Sequence, residues 1–220
     1  MTPNEIISEV IRLEQDSGFL KTPDSYVQEV LLSFVNQTLF QTATVRPDLF
    51  AKLGEIPTQP ESVVQAMPAD SIRLIEIFHI KGGNAVVEVS HSMMERSNPS
   101  WAAEPAGMPI NYMRHPRNHN RYFLYPAPAD EIELVADYAQ APPVYAAEDE
   151  IELLPTAYMP AIVYGTAVLA ATVLNDRFSP DRASMHRAMY ERILGLSADS
   201  VFNLDSEEQR ATEDDRRRRN

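Results

Sequence analysis

The sequence predicts an α+β protein: a bundle of about four helices, two N-terminal and two C-terminal, with an inserted antiparallel β domain and a flexible charged C-terminal tail. Three observations lead to this reading. Apolar residues recur at spacings of three and four in residues 3–17, 24–40 and again between 156 and 194. Runs rich in β-branched residues, bounded by turn residues, fill 62–140. From residue 205 onward no large apolar side chain occurs, so that stretch cannot bury a face against a core. The predicted domains are therefore 1–61 with 141–204 for the helices, 62–140 for the β insertion, and 205–220 for the tail.

The first helix, residues 3–17, carries Ile6, Ile7, Val10, Ile11 and Leu13 near helical spacing. Thr2 is placed as its N-cap, with Pro3 at the first helical position and Glu5 in the first turn, and Gly18 as its stop. The second, residues 24–40, places Tyr26, Val27, Val30, Leu31, Phe34, Val35, Thr38 and Leu39 on one face, with Asp24 a candidate cap and Pro47 barring continuation. Residues 46–61 read as irregular, with a short helix around Asp48–Leu53.

Strand grammar then takes over. SVVQAM, SIRLIEIFHI and NAVVEV read as strands, the last two joined as a hairpin through Gly82-Gly83-Asn84. His91–Arg96 reads as one helical turn, broken by Asn98-Pro99-Ser100-Trp101. Met108–Met113, Arg121–Tyr125 and Glu131–Tyr138 follow as strands, the last two connected by the proline turn PAPAD. Trp101, Tyr112, Phe123 and Tyr125 are the candidate core of this block. Pro142-Pro143 marks the return to helix, and Ile151–Leu154 fits either type. Thr156–Asn175 is a long apolar helix with Pro160 in its first turn. A last helix starts at Ser179 or Asp181, runs through Met185, Ala188, Met189, Ile193 and Leu194, and stops at Gly195.

Composition excludes several classes of function. There is no cysteine, so disulfides, thiolate metal sites and cysteine nucleophiles are absent. The net charge of −13 opposes ordinary DNA binding, which needs a basic face to displace counterions. The longest apolar stretch, Met159–Leu174, falls short of the roughly 20 residues of a bilayer span and reads as a buried helix. The N-terminus, MTPNEIISEV, lacks the basic and apolar regions of a signal peptide. Seventeen prolines against seven glycines imply stiff connections.

Catalytic signatures are missing. The glycines form neither a phosphate loop nor a dinucleotide fingerprint, and there is no G-x-S-x-G or H-E-x-x-H pattern. His115 and His119 are the best chemical candidates, but Pro116 and the asparagines of RHPRNHN place them in a loop, where a spacing of four has no geometric meaning. Glu131-Ile132-Glu133-Leu134 alternates as a half-buried strand does, so Asp130, Glu131 and Glu133, like Glu148, Asp149, Glu150 and Glu152, read as solvated faces. No catalytic, cofactor or metal residue is assigned. In the tail, six acids face five arginines: Arg210, Arg216, Arg217, Arg218 and Arg219. Either this is a solvated end, or it orders on a partner whose carboxylates the guanidinium forks bind.

Four stretches, in order, carry a resemblance: MPADSIRLIEI (67–77), GGNAVVEVSHSMMERSNPSW (82–101), RYFLYPAPAD (121–130) and LPTAYMPAIVYGTAVLAATVLND (154–176). Together they resemble the bacteriophage head-to-tail adaptor (connector) family, similar to tail tubular protein A of short-tailed phages. The resemblance covers most of residues 1–196, and the long acidic-then-basic tail departs from it. It implies a non-enzymatic virion protein at the head–tail junction, made in the host cytoplasm. It further implies a homo-oligomeric ring of twelve subunits bound to the portal protein ring and to a tail-tubular-B-like nozzle, with tail fibres as a further contact. DNA would pass through the lumen without sequence-specific binding, with no membrane and no cofactor. The C-terminal segment, with its arginines, would reach the portal. The alternatives are a phage assembly or tail-completion factor absent from the particle, a small hydrolase using His115 or His119, and a cytoplasmic binding module.

Overall fold

A computed structural model describes residues 1–15, 25–174 and 178–196. Gly18, Asp24, the end of the long apolar helix at Asn175 and the whole C-terminal tail lie outside those residues. The chain divides into two compact units, one built from Met1–Leu39 with the segments after Val144, the other from Phe40–Pro143. The described residues are mixed α and β, with five helices and two sheets.

The helical unit contains α1 (Pro3–Gln15), most of α2 (Ser25–Val45), α4 (Met159–Val173) and α5 (Ala183–Leu194). Helix α1 begins in a capping box: the Thr2 hydroxyl accepts from the Glu5 amide at 3.3 Å, and the Glu5 carboxylate accepts from the Thr2 amide at 2.9 Å. Ile6, Ile7 and Val10 form its buried face. In α2 the buried face is Val27, Leu31, Phe34, Val35, Thr38 and Leu39, while Tyr26, predicted on that face, is exposed, one position before Val27 where the buried stripe begins. Helix α4 is the apolar core helix. The window Thr156–Val173 is long and apolar enough to cross a membrane by length and composition, and half of it is buried within the protein. Between Val144 and Ile151 the chain is fastened to the helices by backbone bonds. Asn36 pairs both ways with Tyr145, Asn4 N–H donates to the Ala147 carbonyl, and Ile151 N–H donates to the Met1 carbonyl.

Helix α5 ends in a Schellman motif. Gly195 takes φ 69°, its N–H bonds Arg192, and the Leu196 N–H reaches back to the Glu191 carbonyl at 2.7 Å. The face of α5 turned inward differs from the predicted one. His186 and Leu194 are buried, whereas Met185 and Ala188 are exposed.

The second unit holds two sheets. One has the order β1 (Ala51–Pro57), β7 (Glu133–Gln140), β3 (Ser71–Ile80), all antiparallel. The other has the order β2 (Val64–Ala66), β6 (Arg121–Tyr125), β5 (Asn111–Arg114), β4 (Val87–Glu88). Residues 51–57, predicted irregular, form edge strand β1 after a 3-10 turn at Pro47–Phe50. Gly54, Pro57 and the charges Lys52 and Glu55 hid the strand from propensity reasoning.

Two connections also differ from expectation. The turn at Gly82-Gly83 does begin a hairpin, with Ile80 N–H bonded to Asn84 and a bridge between His79 and Ala85. The chain then leaves for the other sheet, where β4 pairs with β5 in parallel. That single parallel pair makes the second sheet mixed, against the antiparallel prediction. Strands β6 and β7 likewise sit in different sheets, so PAPAD is a crossing and not a hairpin turn.

Strand β3 has an unusual burial rhythm. Ser71, Leu74, Ile77 and Ile80 are buried, at every third residue instead of every second. Three register shifts, between 71 and 73, 74 and 76, and 77 and 79, each insert one extra residue. Ten residues of β3 therefore lie opposite seven of β7, Leu134 to Gln140.

Inner residues of both sheets, including Ile56, Leu74, Ile77, Tyr112, Tyr122, Leu124 and Leu134, share one core. The opposite face of the second sheet carries Met113 and Phe123, and closes a smaller cluster with Met94 of α3 (His91–Ser97) and Trp101. Of the four aromatic residues predicted as core, Tyr112 belongs to the first cluster, and Trp101, Phe123 and Tyr125 belong to the second.

Candidate functional site

Of the two histidines singled out for chemistry, His115 closes a turn. His115 Nδ1 accepts hydrogen bonds from the backbone N–H groups of Arg117 (3.2 Å) and Asn118 (3.0 Å), and its ring stacks on Phe123 at 5.2 Å. A nitrogen whose lone pair serves two amides is closing a turn and is not placed as a general base. His119 is exposed in the same loop. On the other side of Phe123 lies His91, 5.3 Å away and edge-on to Trp101. Among the described residues no three His, Asp or Glu side chains converge to hold a metal ion.

Some of the acidic groups are also tethered. Glu133 and Glu55 each lie 2.6 Å from Lys81 Nζ, and the hydrogen bonds the ammonium donates to Glu133 and then to Glu55 raise the lysine pKa. Glu148 accepts from the Asn4 amide at 2.6 Å, and the Asp149 carboxylate accepts from the Ala146 N–H at 2.7 Å. Arg210 and Arg216–Arg219 lie outside the described residues.

Three polar constructions were not anticipated. The first is a clasp between the two sheets. Arg114 donates through Nε and Nη2 to both oxygens of Glu88 (2.8 and 3.1 Å), and through Nη1 and Nη2 to the carbonyls of Leu74 (3.3 Å) and Ile75 (2.6 Å). Those carbonyls sit at the middle bulge of β3, where the ladder is interrupted, so the guanidinium satisfies acceptors the sheet has released. The Tyr112 hydroxyl completes the set by donating to Glu88 at 3.0 Å; burial, reinforced by that carboxylate, pushes its pKa up to about 12. Arg114→Met is expected to lower stability by about 1–2 kcal/mol, discounted because the side chain is 37% exposed. Arg114→Lys should recover little, since a point charge cannot serve four acceptor bonds. Urea unfolding midpoints check both.

The second is the lock on Asn98-Pro99-Ser100-Trp101. Asn98 Nδ2 donates to Glu104 (2.7 Å) and to the Tyr125 oxygen (3.1 Å), and the Tyr125 hydroxyl donates to the other Glu104 oxygen (2.7 Å). These bonds from Tyr125 and then Asn98 lower the Glu104 pKa. The triangle holds the turn that inserts Trp101 over Met94 and Met113.

The third lies in the helical unit. Glu14, the penultimate residue of α1, is buried, with Oε1 2.9 Å from His186 Nε2 and 3.7 Å from Arg182 Nη1. Arg182 also donates to the Leu13 carbonyl at 2.8 Å, satisfying a carbonyl of the last helical turn. Tyr164 of α4 lies over the imidazole at 5.9 Å. The periodicity of α5 could not expose this pair, because its partner is 172 residues away.

Surface depressions are shallow, one lined by Ala188, Glu191, Arg192, Gly195 and Leu196, another by Ile80, Lys81, Glu131, Ile132 and Glu133. The polar networks hold strands, turns and helix ends, as a scaffold does. Comparison with protein families bears on what the scaffold is for: the family model described as SU10 adaptor protein matches residues 1–218. The chain belongs to that family. SU10 adaptor proteins are a structural family of bacteriophages, so the chain is a phage head-to-tail adaptor protein, a class of virion component at the head–tail junction. No curated protein matches the sequence. Within the adaptor family, the match takes in the two helical stretches, the β unit and all but the last two residues of the charged tail.

Proposed function

We infer that this adaptor forms a ring, of twelve copies by resemblance, that joins the portal to the tail nozzle and surrounds the path of the DNA. The observation that carries this reading is the adaptor-family match over residues 1–218. The constructions described above support it: salt links and hydrogen-bond locks that stiffen each unit suit a part that bears load. The helical and β domains of the sequence reading, 1–61 with 141–204 and 62–140, would divide the work between ring wall and outer contacts.

In this proposal the tail docks on the portal. Residues 205–220 span up to about 50 Å when extended, and Arg210 with Arg216–Arg219 supplies guanidinium forks for portal carboxylates. Before that encounter, a charge of −13 on each copy opposes self-association. Native mass measurement of the purified protein, alone and with the portal ring of the same phage, tests the reading. A monomer alone that adds as a complete ring to the portal is expected, and a chain ending at Leu204 should lose most of that binding. A protein that ignores the portal and is missing from purified particles would instead be an assembly factor.

A further inference from the structure

Charge is unevenly spread along the chain. It carries 32 acidic residues, yet none falls between Pro105 and Ala129, a stretch that holds Arg114, Arg117 and Arg121. The tip of that stretch is the connection from β5 to β6, residues 115–120. It is a closed turn. His115 Nδ1 accepts two amides, Asn118 Oδ1 accepts from the Asn120 N–H at 3.0 Å, and the Arg121 N–H donates to the Asn118 carbonyl at 3.1 Å. Arg117, Asn118, His119, Asn120 and Arg121 are all exposed. Tyr122 and Leu124 enter the core shared by the two sheets, so alternation along β6 turns Arg121 to the face of Phe123.

Elsewhere in the β unit Arg46, Lys52, Lys81 and Arg114 each meet a carboxylate. Arg117 and Arg121 meet none among the described residues. Acids on neighbouring elements are engaged: Glu88 by Arg114, Glu104 by Asn98 and Tyr125, and Glu95 lies 3.6 Å from His91 Nε2.

We propose that this tip, Arg117–Arg121, is a contact for the phosphate backbone of DNA. It offers hydrogen-bond donors, two guanidinium forks and two side-chain amides, with no carboxylate among them. Phosphate oxygens are acceptors that such groups hold without reading sequence. A protein partner fits less well. Interfaces of that kind centre on a buried aromatic or apolar anchor, and no apolar side chain stands between Arg117 and Arg121. Phe123, next on that face, is already flanked by the rings of His91 and His115. Nor does the net charge of −13 forbid the contact. Screening over about 8 Å at physiological salt lets a local patch act apart from distant acids. Two arginines release few counterions, so the grip is weak and strongly dependent on salt. The contact is independent of whether the copies form a ring: a chain that holds DNA in this way and ignores the portal keeps the one and loses the other.

The test is an amide NMR titration of the full-length chain with a short DNA duplex of mixed sequence at low salt. Shifts are expected at Arg117–Arg121, with the same affinity, read from those amides, for a second sequence. Arg117→Ala and Arg121→Ala should each flatten the fall of log affinity with log salt by about 0.9, the share of one phosphate, and Arg117→Lys should leave the slope unchanged. Shifts confined to residues 205–220 would assign the DNA to the tail arginines and overturn the proposal. Polyglutamate moving the same amides as strongly as the duplex would assign the tip to an acidic protein and overturn it too, as would a tip that does not respond.

Discussion

Replacing His186 by alanine is expected to destabilise the helical unit by about 2–4 kcal/mol, because it opens a cavity and leaves the buried Glu14 Oε1 without that hydrogen bond. The imidazole and the Glu14 carboxylate are both essentially inaccessible, at 0% and 1% exposure, so water cannot take over the lost bond. Position within the helix adds to the cost. Glu14 stands in the last turn of α1, where the helix dipole disfavours a negative charge, and Arg182, with Nη1 3.7 Å from Oε1, compensates it. Glu14→Ala should cost a similar amount by leaving His186 buried without its acceptor. The joint replacement Glu14→Leu with His186→Phe should recover much of the loss, since an apolar pair of similar volume carries no desolvation penalty. Urea unfolding of the three variants decides the matter. A loss below about 1 kcal/mol for His186→Ala would mean the pair behaves as a surface contact.

Gly165→Ala is the second large effect, expected at about 1–3 kcal/mol of destabilisation. Gly165 lies in α4, and a Cβ built there would stand 2.5 Å from Thr38 Cγ2 of α2 and 3.0 Å from two ring atoms of Tyr190 in α5. Neither neighbour yields cheaply: Thr38 is β-branched with a stiff χ1, and Tyr190 is a rigid ring. Alanine would gain roughly 1 kcal/mol of helix propensity over glycine, which the clash must exceed. The check is rescue. Thr38→Ser removes Cγ2 while keeping the hydroxyl, so it should return most of the stability lost by Gly165→Ala. Calorimetric unfolding of the single and double variants measures this. If Gly165→Ala melts at or above the native temperature, the close approach of the three helices is wrong.

The limits of β3 and β6 were readable because SIRLIEIFHI and RYFLY combine β-branched or aromatic residues with clear turn signals on both sides. What could not be read was the company these strands keep. The bulges of β3 depend on β7, more than fifty residues later, and the clasp at Arg114 depends on carbonyls freed by those bulges. Strand β1 fails the propensity test and exists because β7 offers it a ladder. In α5 the misreading was of face. Met185 and Ala188 look like core by hydropathy, and His186 looks like surface, until Glu14 supplies the partner that makes its burial affordable. The adaptor family, by contrast, was legible from four motifs in order. In the histidine loop, the acceptor role of His115 toward two backbone amides could not be read from the spacing of RHPRNHN.

The helical unit is sewn from both ends of the chain, and this has a consequence for synthesis. A ribosome adding roughly 5–20 residues each second releases α1 long before the residues that complete its packing. His186 follows Glu14 by 172 positions, a delay of roughly 9–34 s at those rates. Through that interval Ile6, Ile7 and Val10 have no α4 or α5 to cover them. The middle of the chain, Phe40–Pro143, has its sheet partners within itself and can close first. The order of synthesis is therefore not the order of folding: α1 emerges before the β unit and is secured after it.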